Sequence, residues 1–386
     1  MQKSKLLRVL ALCLLPAMLS GCWSYRSLSD LSIVMGLGID HDPARGIYKI
    51  SAEIVDLTKS IKQNGPGAKL VQAEGKTIFD SIREAKRKLL NKLYFGNLHI
   101  MVIGEEAART AGIENAVDWV MRDAEGRETI SLVIMQGGTA NDLMKLSGLD
   151  QTILSLEIDA IIAEDSAATA STVQADLYQV YGMLNSPGVA LTLPAFHIAV
   201  NDGKEVAESN GLAVFQGDRL LDYLSPLETK YFLIATGKAK GGILAIAQNG
   251  TGNPDTSLEI AKSQAKIGYD ETDGRFTFHI ETETDVYLAE TTENIDVRNE
   301  DEIQALENEA ARRLEMEITS LVKKVQQQMG QDIFGFGAVV HRRDFKAWHE
   351  IENRWNEIFR TMPVTVSCKV NIKNTAYISS KEAIRP

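Results

Sequence analysis

The chain has 386 residues, enough for two or three domains of ordinary size. It is 44% hydrophobic and 24% charged, a balance typical of globular proteins that excludes disordered, collagen-like and low-complexity chains. Its 41 basic and 52 acidic side chains give a formal charge of −11. Affinity for nucleic acid depends largely on neutralised phosphates, so this balance argues against a nucleic-acid-binding protein.

The N-terminus has the organisation of a secretion signal. Lys3, Lys5 and Arg8 precede an apolar run over residues 9–19. As a helix that run spans about 16 Å, too short for a hydrocarbon core of about 30 Å. It is therefore typical of a signal-peptide core and not of a membrane-spanning helix.

The signal ends in Leu-Ser-Gly-Cys over residues 19–22. This segment resembles the bacterial lipobox, in which a diacylglyceryl group is joined to the cysteine sulfur before cleavage. The alternative is an ordinary signal peptide followed by a chance cysteine, but Leu19 suits the ordinary peptidase poorly. We predict a lipoprotein signal peptide over residues 1–21 and a covalent diacylglyceryl lipid on Cys22. Two acyl chains hold a protein stably on a membrane, so the body would be anchored to its outer face.

Removal of the signal changes both the charge and the cysteine count. It takes away three basic and no acidic side chains, which moves the formal charge from −11 to −14. Cys13 is also lost, so Cys368 would be the one free cysteine beside a lipidated Cys22 and no intramolecular disulfide can form. Cys368 lies in a strand pattern over residues 364–372 with apolar residues at every second position. The pattern predicts a buried and unreactive thiol.

The first elements after the anchor are two predicted strands, over residues 31–39 and 48–57. The second alternates apolar residues with Lys49, Ser51 and Glu53, which predicts one solvent-exposed face. Thr77 is predicted to cap a helix that runs to about Asn91.

The face of this helix opposite its apolar stripe is basic, with Arg83, Lys86, Arg87 and Lys88. We interpret it as solvated, with lipid headgroups or an acidic partner as the alternative.

The chain then continues as a mixed α/β region. Strands are predicted at residues 98–103 and 129–135, helical stretches at 105–122 and 139–185, and a strand at 189–200. Pro187 and Pro194 favour a sheet edge for that last strand. We place a domain boundary near residue 205, after the turn at 201–203, so that residues 22–205 form either one N-terminal α/β region or two lobes, 22–138 and 139–205.

The C-terminal part, residues 206–386, is predicted as an α+β domain. Ser225, Pro226 and Glu228 form a capping box that opens a helix to about Thr236. Further elements are predicted as strands at 212–215, 242–247, 258–269, 275–290 and 364–372, and as helices at about 301–328 and 344–360. The fold class is therefore multidomain α+β, with mixed or antiparallel sheets packed against helices.

An aromatic stripe marks the second of these helices, because Trp348 and Trp355 recur at helical spacing with Ile351 and Phe359. Such a stripe is usually part of a core. The alternative is an exposed partner interface at Trp348 and Trp355.

Motifs for catalysis or metal binding are missing from the sequence. The six histidines are scattered, and His349-Glu350 lacks the second histidine of an HExxH motif because Asn353 takes its place. Asp40, His41 and Asp42 lie in a turn region, where local hydrogen bonds are expected instead of a metal. We predict no catalytic, metal-binding or cofactor-binding residues, and a protein that is not an enzyme.

Blocks along most of the mature chain resemble the Ger(x)C family of spore germination lipoproteins. They are CW at 22–23, LSIVMGLGID at 31–40, EGKTIF at 74–79, LYFGNLH at 93–99, VIGE at 102–105, DIFGFG at 332–337 and WNEIF at 355–359. Members of this family are the C subunits of GerA-type nutrient germinant receptors.

The resemblance implies a non-catalytic subunit on the outer face of the spore inner membrane, beside a polytopic A subunit and a transporter-like B subunit. Of the family's functional residues, only the lipidated cysteine carries over, to Cys22. Small-molecule recognition is credited to the membrane partners, so no ligand is assigned. The alternative function is that of a solute-binding lipoprotein beside a transporter, which would have two similar α/β lobes around a cleft.

Overall fold

A computed structural model describes residues 30–56, 67–122, 125–150, 153–247, 254–272, 274–292, 295–296 and 299–374. The predicted signal peptide and Cys22 lie outside these residues. Two sheets with helices packed on them confirm the predicted α+β class. Within the described ranges, every helix is too short or too polar to span a bilayer.

The larger sheet has nine strands, and three of them were not predicted. They are β1 (Leu31–Asp42), β2 (Ile47–Asp56), β3 (Gly67–Gly75), β4 (Lys92–Tyr94), β5 (Ile100–Gly104), β6 (Ser131–Met135), β7 (Thr192–Asn201), β8 (Lys204–Gln216) and β9 (Arg219–Leu224). Their order is β3-β2-β1-β5-β6-β7-β8-β9, with β4 beside β1. The central pairs β1–β5, β5–β6 and β6–β7 are parallel and the outer pairs antiparallel, so the sheet is mixed. Strands β3, β4 and β9 are the three that were not predicted from the sequence.

Helices cover both faces of this sheet. They are α1 (Ile78–Ala85), α2 (Glu105–Thr110), α3 (Glu114–Arg122), α4 (Ala140–Met144), α5 (Leu154–Ala168) and α6 (Leu177–Leu184). Apolar residues of α1, α2, α3 and α6 share one core with the sheet, whereas those of α4 and α5 pack in a second core. Thr77 caps α1 as predicted by accepting from the backbone N–H of Asp80, but α1 ends at Ala85, before the predicted Asn91.

The predicted exposed face of β2 is wrong, because Ser51 and Glu53 are buried under α4 and α5. The carboxylate of Glu53 accepts hydrogen bonds from the backbone N–H groups of Leu154 (2.9 Å) and Ser155 (3.0 Å) at the start of α5. These first amides have no partner inside their helix and carry positive partial charge. A buried carboxylate is stable there without a cation.

Asp40 of β1 caps the neighbouring helix in the same way. It accepts from the backbone N–H groups of Ala140 (2.8 Å) and Asn141 (3.0 Å) in the first turn of α4. Burial raises the pKa of Asp40, and the two backbone hydrogen bonds oppose that rise. The polar residues of β1 and β2 thus hold two helices against one face of the sheet.

The predicted sheet edge at residues 189–200 is also wrong, because β7 lies between β6 and β8. The β7–β8 register shifts between Pro194 and Phe196, and β6 pairs with β7 at Ala195 and Phe196. Proline cannot donate to a ladder and is tolerated inside a sheet at such an irregularity. Pro194 therefore lies at a bulge and not at an edge.

The smaller sheet contains the long strands of the C-terminal half. Its strands are β10 (Ile243–Ile246), β11 (Thr256–Thr272), β12 (Arg275–Thr291) and β13 (Val364–Asn374), in that order across the sheet. Strands β12 and β13 are parallel and the other pairs antiparallel.

The helices of this half are α7 (Pro226–Ala235), α8 (Glu300–Lys324), α9 (Phe336–Arg343), α10 (Phe345–Ile351) and α11 (Trp355–Thr361). The capping box at Ser225 and Glu228 is confirmed. Helix α8 ends in a π-helical turn over Val325–Met329. The single helix predicted over 344–360 is α10 and α11 separated by a 3₁₀ turn, and α9 was not predicted.

The larger sheet crosses the boundary placed near residue 205. Strands β7 and β8 pair on either side of the turn at 202–203, and the sheet continues through β9 to Leu224. One face of β8 packs in the N-terminal core with Ala213 and Phe215, while the other packs in the C-terminal core with Leu212 and Val214. The two halves share this strand, and the domain limits themselves stay predictions.

Replacing Glu53 by glutamine tests the capping of α5. The amide nitrogen of glutamine cannot accept, so one N–H donor of α5 loses its partner, and we expect the free energy of unfolding to fall by about 2 kcal/mol. Urea unfolding of the full chain, followed by tryptophan fluorescence, measures the change. Glu106→Gln, at an exposed position of α2, is the matched control with no expected loss. Equal stability of the two variants would contradict the capping role.

Candidate functional site at the junction of the two halves

The predicted partner-interface residues, Trp348 and Trp355, are buried. They are 4% and 5% exposed, and their ring centroids lie 5.5 Å apart. Trp355 also packs edge-on against Phe278 of β12, with ring centroids 6.1 Å apart. The structure supports the core interpretation of the stripe and not an exposed partner interface at these two side chains. Helix α9, which was not predicted, packs over them.

A buried carboxylate lies beside these tryptophans. Asp332 accepts hydrogen bonds from the backbone N–H groups of Gly335 and Gly337, each at 2.8 Å, and from the indole N–H of Trp355 at 3.1 Å. Burial raises the pKa of Asp332 to about 6, although the surrounding N–H donors act to lower it. The carboxylate fixes the loop between the π-helical turn and α9.

The same loop binds the N-terminal half through its backbone. The N–H of Ala190 donates to the carbonyl oxygen of Asp332 (2.7 Å), and the N–H of Ala338 donates to the carbonyl oxygen of Gly188 (3.0 Å). Gly188 has a φ of +69°. A Cβ added to Gly337 would lie 2.7 Å from the Cα of Gly188. Two backbones therefore touch at glycines with no side chain between them.

We call residues 188–190, residues 332–337 and Trp355 the Asp332 junction. A groove of about 370 Å³ opens beside it. Residues of both halves line the groove, among them Met183 and Leu184 from α6 and Asn356 and Glu357 from α11. A relative movement of the two halves at this place would break these hydrogen bonds.

The histidines do not form a catalytic cluster. Five of them have separate polar partners: His41 with Thr110, His99 with Asp159, His197 with Glu208, His279 with Asp270 and His349 with Glu352. His341 instead packs edge-on against Phe345 and Trp348. Among the residues that the structure describes, no group of three or more His, Cys, Asp or Glu side chains is arranged to hold a metal ion.

The two remaining candidates for chemistry are also explained by local contacts. Asp40 points to α4, whereas Asp42 forms an ion pair with Lys49 at 3.2 Å, so the acidic pair of the β1–β2 turn diverges. Cys368 is half-buried on β13, and burial raises the pKa of its thiol to about 11. A thiol with that pKa is a poor nucleophile at neutral pH.

The role of Asp332 was not predicted from the sequence. Its segment, DIFGFG, was noted as part of the family resemblance and not as a structural device. The available signal was an acidic residue inside an apolar stretch with two glycines close behind it. Nothing in that pattern identifies Trp355 or residues 188–190 as its partners.

Comparisons with known proteins match both halves of the chain. The model described as "Spore germination protein N-terminal domain" matches residues 24–198, and "Spore germination B3/ GerAC like, C-terminal" matches residues 210–376. Three similar proteins come from Bacillus subtilis (strain 168). Spore germination protein KC is 24% identical, and the match covers 92% of each chain. Spore germination protein B3 is 23% identical over 88% of this chain and 90% of its own length. Spore germination protein A3 is 23% identical over 91% of this chain and 92% of its own length.

A solved structure has the same fold. The crystal structure of the GerBC protein matches with a TM-score of 0.56 at 19% sequence identity, covering 91% of this chain and 100% of that one. At this identity the match shows a shared architecture.

Substituting Asp332 by asparagine tests the buried carboxylate. Asparagine has one acceptor oxygen in place of two, so we expect the free energy of unfolding at pH 7 to fall by about 2 kcal/mol. A folded-state pKa raised to about 6 also means that the stabilisation linked to protonation is complete below the unfolded pKa and is lost as the pH rises through 6. The free energy of unfolding of the wild type should therefore exceed that of Asp332→Asn by the largest amount at pH 4. Urea titrations from pH 4 to pH 7 measure this, and a pH-independent difference would contradict the raised pKa.

The glycine contact is tested by Gly337→Ala. The new methyl group meets Gly188 and both tryptophan rings at under 3 Å, so we expect a loss of about 2 kcal/mol or more. Gly182→Ala is the matched control, because its Cβ would meet nothing within 4 Å and alanine favours the helix α6 by up to about 1 kcal/mol. Thermal unfolding of both variants measures their stability relative to the wild type. A Gly337→Ala variant as stable as the wild type would show that the backbones of Gly188 and Gly337 are not in contact.

Proposed function

Because this chain belongs to the Ger(x)C family of spore germination proteins, we propose that it is the membrane-anchored, non-catalytic C subunit of a nutrient germinant receptor. The observation that carries the proposal is the match of both family domains along the chain, together with relatives named as spore germination proteins over about nine-tenths of their lengths. The expected partners are a polytopic A subunit and a transporter-like B subunit. The expected location is the outer face of the spore inner membrane.

The lipid on Cys22 supplies the anchor in this proposal. Asp30 is eight residues after Cys22, a length of chain that reaches at most about 28 Å when fully extended. The next residue begins β1, which pairs with β2 and β5 near the middle of the larger sheet. A short tether would thus join the membrane to a strand held on both sides.

A supporting role in receptor assembly or signalling agrees with the described side chains better than catalysis does. Their histidines make separate local contacts, the buried acids Asp40, Glu53 and Asp332 accept hydrogen bonds from backbone N–H groups, and the Asp332 junction connects the two halves. The solute-binding alternative requires two similar lobes. The two sheets instead have nine and four strands in different orders, so we do not propose it.

Replacing Cys22 by alanine tests the proposal. The variant should lack the diacylglyceryl mass and leave the membrane fraction, and spores carrying it should respond more weakly to nutrient, while the body still folds. Intact-mass analysis and fractionation measure the first two effects, and a detergent pull-down asks whether two polytopic membrane proteins co-purify with the wild type.

Cys368→Ala is the matched control, because it removes a half-buried thiol and should keep lipid, location and partners. An unmodified wild-type N-terminus would contradict the anchor. Lipid without any membrane partner would contradict the receptor assignment and favour the solute-binding lipoprotein.

A further inference from the structure

A basic surface interrupts this acidic protein around α1. Residues 76–92 contain six basic and two acidic side chains, in a chain whose formal charge is −11. Six exposed residues of this segment form what we call the basic rim: Phe79, Arg83, Lys86, Arg87, Lys88 and Leu90. It begins on the outer face of α1 and continues through the 3₁₀ turn over Lys86–Lys88.

Most of the rim's charge is not neutralised by acidic neighbours. The guanidinium of Arg83 lies 4.6 Å from the centroid of the Phe79 ring, and the ammonium groups of Lys86 and Lys88 donate to backbone carbonyl oxygens. Only Arg87 of the rim forms an ion pair among the described residues, with Glu84 at 2.8 Å. Three positive charges thus remain available to an anionic surface.

Two large apolar side chains are exposed among these charges. Leu90 is 94% exposed and Phe79 is 49% exposed. Exposed leucine next to several lysines is typical of segments that lie at a membrane interface, where apolar side chains insert and the basic heads meet phosphates. Ile78 and Ile82 of the same helix are buried, so the rim is the face that α1 does not use for its own packing.

The rim lies beside the point at which the described chain begins. Asp30 lines the same groove of about 870 Å³ as Phe79, Arg83, Lys86, Leu90 and Lys92. A tether of eight residues from Cys22 to Asp30 keeps this groove within about 28 Å of the anchored residue. The acidic body as a whole is repelled by anionic lipid, whereas the rim is attracted to it.

We propose that the basic rim rests on the anionic phospholipid surface that holds Cys22, with Leu90 and Phe79 inserted among the headgroups. The proposal rests on the lipid anchor of the proposed function. It adds an orientation, because the anchor alone would let the body turn freely about its tether, whereas the rim fixes α1 against the membrane.

Site-specific labelling tests this contact in the full lipidated chain. Leu90→Cys, in a Cys368→Ala background, receives an environment-sensitive dye, and the protein is reconstituted in vesicles of phosphatidylcholine with phosphatidylglycerol. The dye should shift to the blue and be quenched by lipids that carry a nitroxide. Both effects should weaken several-fold in phosphatidylcholine alone or in high salt, because salt screens the attraction.

Phe345→Cys is the matched control, since Phe345 is a 66% exposed apolar residue at the start of α10. Its dye should remain in water in every vesicle. The charge requirement is tested by Arg83→Glu, Lys86→Glu and Lys88→Glu combined, which should abolish quenching at position 90. Lys204→Glu, Arg342→Glu and Lys346→Glu combined change the charge equally at other exposed sites and should preserve the quenching.

The outcomes separate this proposal from the proposed function. A lipidated protein that stays with the vesicles while the dye at position 90 remains in water overturns the rim contact alone. A protein without the diacylglyceryl mass that does not float with vesicles overturns the anchor. Protection of the dye only after the A and B subunits are added would show that the rim faces a protein partner, and would also overturn the lipid contact.

Discussion

The structure depends on how one buried carboxylate is satisfied. Asp332 is 2% exposed, and its charge is tolerated because the N–H groups of Gly335, Gly337 and Trp355 surround it. Those donors come from a loop and a helix that would otherwise be independent. The backbone of the same loop then pairs with residues 188 and 190 of the other half. Loss of the carboxylate would therefore loosen the loop, the tryptophan core and the contact between the halves together.

A second use of buried acids positions the helices of the N-terminal half. Asp40 and Glu53 lie on neighbouring strands and cap the first turns of α4 and α5. Helix ends supply unpaired N–H groups and a positive partial charge, so no cation is needed. In all three places the acidic side chain serves the fold.

Charge distribution connects this fold to its proposed location. The body is acidic, yet the basic rim lies next to the residue from which the tether to Cys22 departs. A lipid anchor restricts distance and leaves rotation free, whereas a charged patch restricts rotation. Together they would present the same side of the protein to the membrane.

The sequence by itself determined the local features of this protein. The lipobox-like segment before Cys22, the capping box at Ser225 and the alternation of β13 are all encoded by neighbours in the chain, because signals, caps and periodicity need only a few adjacent residues. The family blocks and the α+β class came from the same kind of information.

Only the tertiary structure decided what covers each surface. Glu53 and Leu154 are 101 residues apart, and Asp40 and Ala140 are 100 residues apart. The alternation of apolar and polar residues in β2 therefore predicted solvent exposure of Glu53, whereas its side chain caps a helix that is distant in the sequence. Pro194 looked like an edge residue because the bulge that accommodates it depends on two partner strands. Trp348 and Trp355 are buried by α9 and the Asp332 loop. Periodicity reports which side chains share a face, but the partner of that face is set by long-range packing.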